Sequence, residues 1–273
     1  MSTDYSRLFD LSGRVAVVTG GLGILGRHFC QALSAHGAHV AVLDLEKSSC
    51  SHFADELSST YDTKTLGINC DVSDPTSINL AIGYVESQLG PVDILHNNAA
   101  SKSSDLESFL QPLESYDPQT WQEVMQVNLD GMFLVAKDVG SRMSQRGKGS
   151  IIQTSSIYGV IAPDPRIYQD SLYNGQPISS PAVYSASKAG VIGLTRYLSA
   201  YWGSSNIRVN TLTPGGVESG QNDVFKKQYS ARVPLDRMGR PDEMTGALIF
   251  LASDASSYIT GQNIIVDGGL TAW

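Results

Sequence analysis

The chain has 273 residues, 41% of them hydrophobic and 17% charged, proportions that suit one large globular domain or at most two small ones. A net charge of −8 argues against a nucleic-acid binder, because neutralising phosphates needs clustered Lys and Arg. Three scattered cysteines, Cys30, Cys50 and Cys70, supply neither a disulfide framework nor a zinc site, so free thiols in a reducing compartment and no metal are expected.

From the amino end, Met1 to Asp10 is polar and lacks a signal-peptide run. No stretch reaches ~20 consecutive apolar residues, so no membrane span is expected and cytoplasmic residence is the default. Residues 14–19 predict a buried strand, followed by glycine-rich punctuation and an amphipathic helix to about His36. Residues 39–44, 65–69, 92–96, 150–154, 207–212 and 263–267 repeat the strand pattern. Their apolar runs are continuous rather than alternating, which indicates strands covered on both faces. Strand and helix alternating at this spacing predict an α/β doubly wound fold, with a parallel sheet of about seven strands and helices on both faces. No linker composition or internal repeat divides the series, so a single domain over 1–273 is expected. Residues 162–181 contain Pro163, Pro165, Pro177 and Pro181 and little helical period. They read as a long loop, either functional or a tolerated surface insertion.

After the first strand, Thr19-Gly20-Gly21-Leu22-Gly23-Ile24-Leu25-Gly26 opens a helix. Glycines let the backbone approach a pyrophosphate, and a helix amino end offers unpaired N–H groups. Asp44 ends the second strand, where a carboxylate can bind an adenosine ribose and repel a 2′-phosphate, favouring NAD over NADP. It could also be an ordinary turn aspartate. Arg27 could favour a phosphate or simply face solvent. Asp71 could bond the adenine amino group or cap the helix starting near Pro75.

Tyr184 and Lys188 lie at i and i+4 of a helical stretch, Ala182 to Trp202, and so share one face. A phenol with a reference pKa of ~10 is a weak base at neutral pH. A fixed ammonium draws that value down. A lowering of ~3 units would require roughly 4 kcal/mol of differential stabilisation. Ser155 and Ser156, Asn97 to Ala100, and Pro214 to Gly216 each follow a predicted strand, so small or polar residues gather at one rim of the sheet, where open α/β folds bind ligands.

These motifs, with Asn128 in Val127-Asn-Leu129 and the carboxy-terminal Gly261-Gln-Asn-Ile-Ile-Val-Asp-Gly-Gly269, resemble the short-chain dehydrogenase/reductase family over nearly the whole chain. The resemblance implies a Rossmann fold and an NAD- or NADP-dependent oxidoreductase acting on CH–OH groups. It further implies Tyr184 as general acid/base, Lys188 lowering its pKa and holding the nicotinamide ribose, and Ser156 bonding the substrate oxygen. Ser156 is preferred to Ser155 because the family's serine stands three residues before a glycine, here Gly159. Asn128 would hold a water linked to Lys188. Gly20, Gly23, Leu25, Asp44, Asp71, Val72, Asn97, Asn98, Ala99, Pro214, Gly215, Val217 and Ser219 would line the cofactor. A lid over about 215–240 and a homotetramer or homodimer are also implied. The apolar ending Leu270 to Trp273 fits either an interface or its own subunit. Tyr201 and Trp202 suit core or subunit contacts.

The chain departs from the family in three places. Ile24 stands where the T-G-x-x-x-G-x-G pattern has glycine, with Gly23 in its stead. Ala100 replaces the glycine of N-N-A-G. The segment between Ser156 and Tyr184 is long, and its insertion should roof the substrate site with Asp164, Arg166, Tyr168, Asp170, Tyr173 and Asn174. Arg166, Tyr168 and Tyr173, with Ser156 and Tyr184, are the candidate substrate contacts, and Arg166 could pair with a phosphate or carboxylate. Polar groups mixed with aromatic faces suggest a carbohydrate. Residues 155–159 and the following Ala-Pro-Asp resemble members associated with bacterial surface-sugar and flagellin-glycan biosynthesis. The rival readings are an NADP-dependent carbonyl reductase and a non-catalytic dinucleotide-binding scaffold. His28 and His96 suit packing rather than ligation.

Overall fold

The Val- and Ile-rich runs become strands, because β-branched side chains fit a pleated surface, and the stretches of helical period become the covering helices. A computed structural model describes residues 4–103, 105–173 and 175–273. In chain order the elements are β1 (Val15–Thr19), α1 (Ile24–Ala35), β2 (His39–Asp44), α2 (Lys47–Tyr61), β3 (Thr65–Asn69), α3 (Pro75–Leu89) and β4 (Val92–Asn97). Next come α4 (Leu106–Phe109), α5 (Pro118–Met125), α6 (Met132–Arg146), β5 (Gly149–Thr154), β6 (Leu172–Tyr173), β7 (Gln176–Pro177) and α7 (Ala182–Trp202). The chain closes with β8 (Ile207–Pro214), α8 (Asp223–Ser230), α9 (Thr245–Ala252) and β9 (Asn263–Val266).

Seven strands form one sheet in the order β3-β2-β1-β4-β5-β8-β9, and every neighbouring pair in it is parallel. Side chains alternate between its two faces. Val15 and Val17 join the core beneath α3, α6 and α7, and Ala16 and Val18 join the core beneath α1, α2 and α9. Both cores are needed, since burying each Val or Leu contributes roughly 1.5–3 kcal/mol. Trp202 is part of the first core and sits over Gly140, where a Cβ would lie 2.2 Å from its ring. It therefore packs within its own chain, and Tyr201 stays exposed, stacked on Tyr197. At the carboxyl end, Trp273 donates its indole N–H to the Arg232 carbonyl at 3.0 Å.

Two features depart from the expected layout. The 162–181 segment is not a plain loop: Pro165–Tyr168 form a 3₁₀ turn, and β6 pairs antiparallel with β7. Helices α5 and α6 are joined by a π-helical segment, Gln126–Gly131. Among the described residues, no helix is long and apolar enough to cross a membrane, and no group of three or more His, Cys, Asp or Glu could hold a metal ion. Cys30, Cys50 and Cys70 are free and buried.

Candidate active site

Because the sheet is parallel, all its strands end at one rim, and its order reverses between β1 and β4, where a ligand crevice opens in such folds. The glycine turn lies there. Gly20 has φ +63°, and a Cβ on it would sit 2.8 Å from the Ala99 Cα; the turn and the end of β4 touch with no room for a side chain. A Cβ on Gly26 would be 2.1 Å from the Gly20 carbonyl oxygen, so α1 is seated on the turn. Side chains cap the amino ends of α2, α3, α4, α5 and α8 (Glu46, Asp74, Asp105, Asp117 and Asn222). None caps α1, whose N-cap is Gly23. Its first-turn amides, Leu25 among them, are left for an anion, so the turn fits a dinucleotide pyrophosphate.

Asp44 accepts from the Leu22 N–H at 2.9 Å and the Leu45 N–H at 2.8 Å. It pins the glycine turn to β2, yet each carboxylate oxygen keeps a further acceptor site for a ribose hydroxyl. Arg27 is held at the turn: its Nε donates to the Leu22 carbonyl and its guanidinium lies 4.6 Å over the Phe53 ring. Asp71 does not cap α3. Asp74 does so through the Thr76 N–H, and Asp71 instead accepts from the Ser73 N–H and hydroxyl. Val72 beside it packs on Gly131.

Asn97 does not line the crevice, contrary to expectation. It is buried, with its amide donating to the Met132 carbonyl and Gln153 and its oxygen accepting from Thr19. Asn98 bonds the Thr19 and Gly20 carbonyls through its amide nitrogen. The Thr19 hydroxyl receives the Asn98 and Ala99 N–H groups. At the other end, Gly215 follows Pro214 and donates to the Val266 carbonyl. Val217 bridges to Gly239, and Ser219 is exposed, bonded to Gln221.

Ser156, Tyr184 and Gly215 line one cavity of about 270 Å³. The neighbouring Ser155 hydroxyl donates to the Lys188 carbonyl and serves to dock α7 on β5. Lys188 is buried, and its Nζ donates to the Thr154 carbonyl at 3.1 Å, 5.9 Å from the centroid of the Tyr184 ring. Burial pushes the ammonium down to about 8. Burial also raises the Tyr184 phenol above its ordinary value, against a lowering by the Ser156 hydroxyl. The i, i+4 lysine was expected to dominate the phenol; desolvation does so instead. Asn128 is buried in the π-helical segment, a distortion frequent at functional sites. Its oxygen accepts from the Ser101 N–H at 2.7 Å and its nitrogen donates to the Ser101 carbonyl at 3.2 Å. The side chain thus secures the loop after β4, while its oxygen and nitrogen each keep one further hydrogen-bonding site.

The insertion reaches the cavity through Tyr168, whose hydroxyl bonds that of Tyr158 at 3.1 Å. Arg166 does not line it. Asp164, two residues earlier, captures its guanidinium at 2.7 Å, and the side chain stays 83% exposed outside the cavity. The Tyr173 side chain and Asn174 lie outside the described residues. Lys102 from the loop after β4, Phe109 and Leu110 from the end of α4, Ser179 and Ser180 before α7, and Gln221 also line the cavity; nothing local in the sequence marks them, because the chain folds them in from three segments. His96 is a packing residue: its ring lies 4.3 Å from Phe29, Nε2 meets the Thr154 hydroxyl, and burial lowers it to about 3.

A family model described as enoyl-(acyl carrier protein) reductase matches residues 23–271. D-Threitol dehydrogenase of Mycolicibacterium smegmatis is 32% identical over 280 residues, spanning 99% of this chain and 97% of that protein. Galactitol 2-dehydrogenase (L-tagatose-forming) of Cereibacter sphaeroides is 34% identical over 276 residues, spanning 99% and 100%. The crystal structure of a gluconate 5-dehydrogenase from Burkholderia cenocepacia, in complex with NADP and tartrate, matches with a TM-score of 0.86 and 32% identity over 97% of this chain and 98% of that one. The chain belongs to the short-chain dehydrogenase/reductase family.

Proposed function

We propose that this protein is a nicotinamide-dependent oxidoreductase that interconverts a secondary alcohol and a ketone on a polyhydroxylated, sugar-like substrate. The observation that carries the reading is one cavity shared by Ser156 and Tyr184, with buried Lys188 one helical turn on from Tyr184 in α7 and the glycine turn at the same rim of the parallel sheet. Its volume is about 270 Å³, and Ser156, Tyr158, Tyr168, Ser179, Ser180 and Gln221 bring hydroxyl and amide groups to its wall, donors and acceptors that suit a polyhydroxylated ligand. The threitol and galactitol dehydrogenases among its relatives support the same class.

A nicotinamide dinucleotide held there would supply hydride-transfer chemistry at the carbinol carbon. Gly20, Gly23 and Leu25 would hold its pyrophosphate, Asp44 its adenosine ribose, Asp71, Val72, Asn98 and Ala99 its adenosine half, and Pro214, Gly215, Val217 and Ser219 its nicotinamide end. Tyr184 hands its phenolic proton to the carbonyl oxygen in reduction and removes the hydroxyl proton in oxidation. Ser156 donates a hydrogen bond to the same oxygen, and Lys188 stabilises the phenolate. Asn128 holds the loop that walls the site. The Asp44 carboxylate favours NAD; the NADP-bound relative keeps the NADP-dependent reductase as the alternative, and affinities for both cofactors with Asp44→Ala decide between them.

The test is a panel of four- to six-carbon alditols and ketoses followed at the nicotinamide absorbance. Tyr184→Phe is expected to lose at least about 100-fold in turnover, the usual contribution of a positioned acid/base, and full retained activity would refute the assignment. Within this reading the protein works in the cytoplasm as a homodimer or homotetramer, with 215–240 as a lid of one domain. A sugar destined for a bacterial surface glycan is the narrower substrate reading, carried by the 155–164 motif. Sedimentation would test the assembly, and loss of a surface glycan on deletion would test the narrower role.

A further inference from the structure

The cavity that holds Ser156 and Tyr184 is lined by one cationic side chain, Lys102, and by no Asp or Glu, in a chain whose net charge is −8. Lys188 is no rival for a ligand's charge, since it is buried and bonded to the Thr154 carbonyl. Arg166, the cation expected to meet a phosphate or carboxylate, is taken by Asp164 and does not line the cavity. Among the described residues no acid lies within ion-pair distance of Lys102.

The loop on either side of Lys102 is held firmly. Asn128 grips the backbone of Ser101 through both of its polar atoms, at 2.7 and 3.2 Å. On the other side Ser103 adopts φ +69°, a left-handed conformation uncommon for a non-glycine residue. Ser103 is kept there by its N–H donating to the Ser101 hydroxyl at 3.0 Å and its own hydroxyl donating to Glu123 at 3.2 Å. Strain that the surroundings over-determine is commonly retained at ligand clamps. Here it fixes where the lysine leaves the backbone, which reduces the ordering required when an anion binds.

We propose that Lys102 is a substrate-specificity residue that pairs with an oxyanion, a carboxylate or a phosphate, carried by the polyol whose alcohol reacts at Tyr184. The inference rests on the oxidoreductase reading above and narrows its substrate from polyhydroxylated compounds in general to anionic ones. A lysine acts as a point charge toward either oxyanion, so the cation alone admits both.

The test uses the purified full chain and three substrate sets of matched carbon number: neutral alditols, aldonates and alditol phosphates. One of the charged sets is expected to exceed the neutral set in kcat/KM, and the set that does so identifies the oxyanion. In Lys102→Met that preference is expected to fall by about 30-fold, chiefly through KM, as for loss of one hydrogen bond to a charged group. Lys102→Arg should restore most of it, and raising salt should narrow it in the parent protein alone. Turnover of neutral alditols with no preference for charged ones, or a preference unchanged in Lys102→Met, overturns the inference and leaves the oxidoreductase reading standing. Failure of all three sets overturns both.

Discussion

A buried ammonium is an unfavourable thing for a fold to keep, and Lys188 carries that burden in this protein. Its pKa falls from 10.5 to about 8 through burial, so below pH ~8 the folded state holds a charge that water would solvate better. An unfolded lysine keeps its proton up to about pH 10.4; the penalty is therefore full below the folded value and fades as pH climbs between the two. Lys188→Met is expected to be more stable than the parent at pH 7 by up to about 3 kcal/mol, less what the unpaired Thr154 carbonyl loses. That advantage should shrink at pH 9.5. Urea denaturation at both values checks it, and a variant less stable at pH 7 with no pH dependence would contradict the account. His96 works in the acid range: burial lowers it to about 3, so the unfolded imidazole binds a proton first, and stability declines as pH falls below ~6.5.

At the scale of elements, α1 and the π-helical segment do the positioning. Gly26 lets α1 rest on the Gly20 carbonyl, with 2.1 Å available where a Cβ would stand. Gly26→Ala is expected to push the helix off the turn and weaken dinucleotide binding by at least about 10-fold, each factor of ten being ~1.4 kcal/mol. Titration of cofactor fluorescence measures this, and unchanged affinity would show that the turn tolerates the shift. The π-helical segment carries Asn128 to Ser101. Asn128→Ala removes both bonds and should destabilise the protein by roughly 1–3 kcal/mol, the range for leaving a buried polar partner unsatisfied. The loop bearing Lys102 should loosen with it, read as faster hydrogen exchange at residues 101–103.

The sheet was legible in the sequence, because strands buried on both faces, such as β1 and β2, print as unbroken apolar runs; β2 and the half-buried edge strand β3 begin and end where the pattern does. Helix α7 was equally plain from its 3.6-residue period between Pro181 and Gly203. Side-chain direction was less so. Asn97 and Asn98 are adjacent polar residues at a strand end, and only the packing tells which faces the core. Arg166 looked like an anion site, but its acid partner sits two residues upstream in a turn that linear reading cannot close. Lys102 passed unnoticed for the opposite reason: it lies in a polar run, and its importance comes from Ser156 and Tyr184, more than fifty positions away along the chain.

Across the whole molecule, the 162–181 insertion and the 215–240 segment share one small core. Ile157, Ile167, Tyr229, Val233, Met238 and Leu270 bury together, with Tyr168 and Phe225 against them. Tyr168 and Phe225 rings lie 5.5 Å apart, Gln228 donates to the Gln169 carbonyl, and Arg232 reaches Asp164 at 3.4 Å. Shortening 164–178 to a glycine-serine tie should strip α8 of its support. Limited trypsin digestion at Lys226 and Lys227 should then proceed faster than in the parent, and an unchanged rate would mean that α8 stands alone.

That shared core constrains anyone wishing to re-engineer the protein. A stretch borrowed from a cousin to replace either segment would arrive without its counterpart, leaving Tyr168 or Phe225 facing a stranger. Selectivity in this scaffold is therefore best transplanted as a matched pair, two distant pieces exchanged in a single chimera.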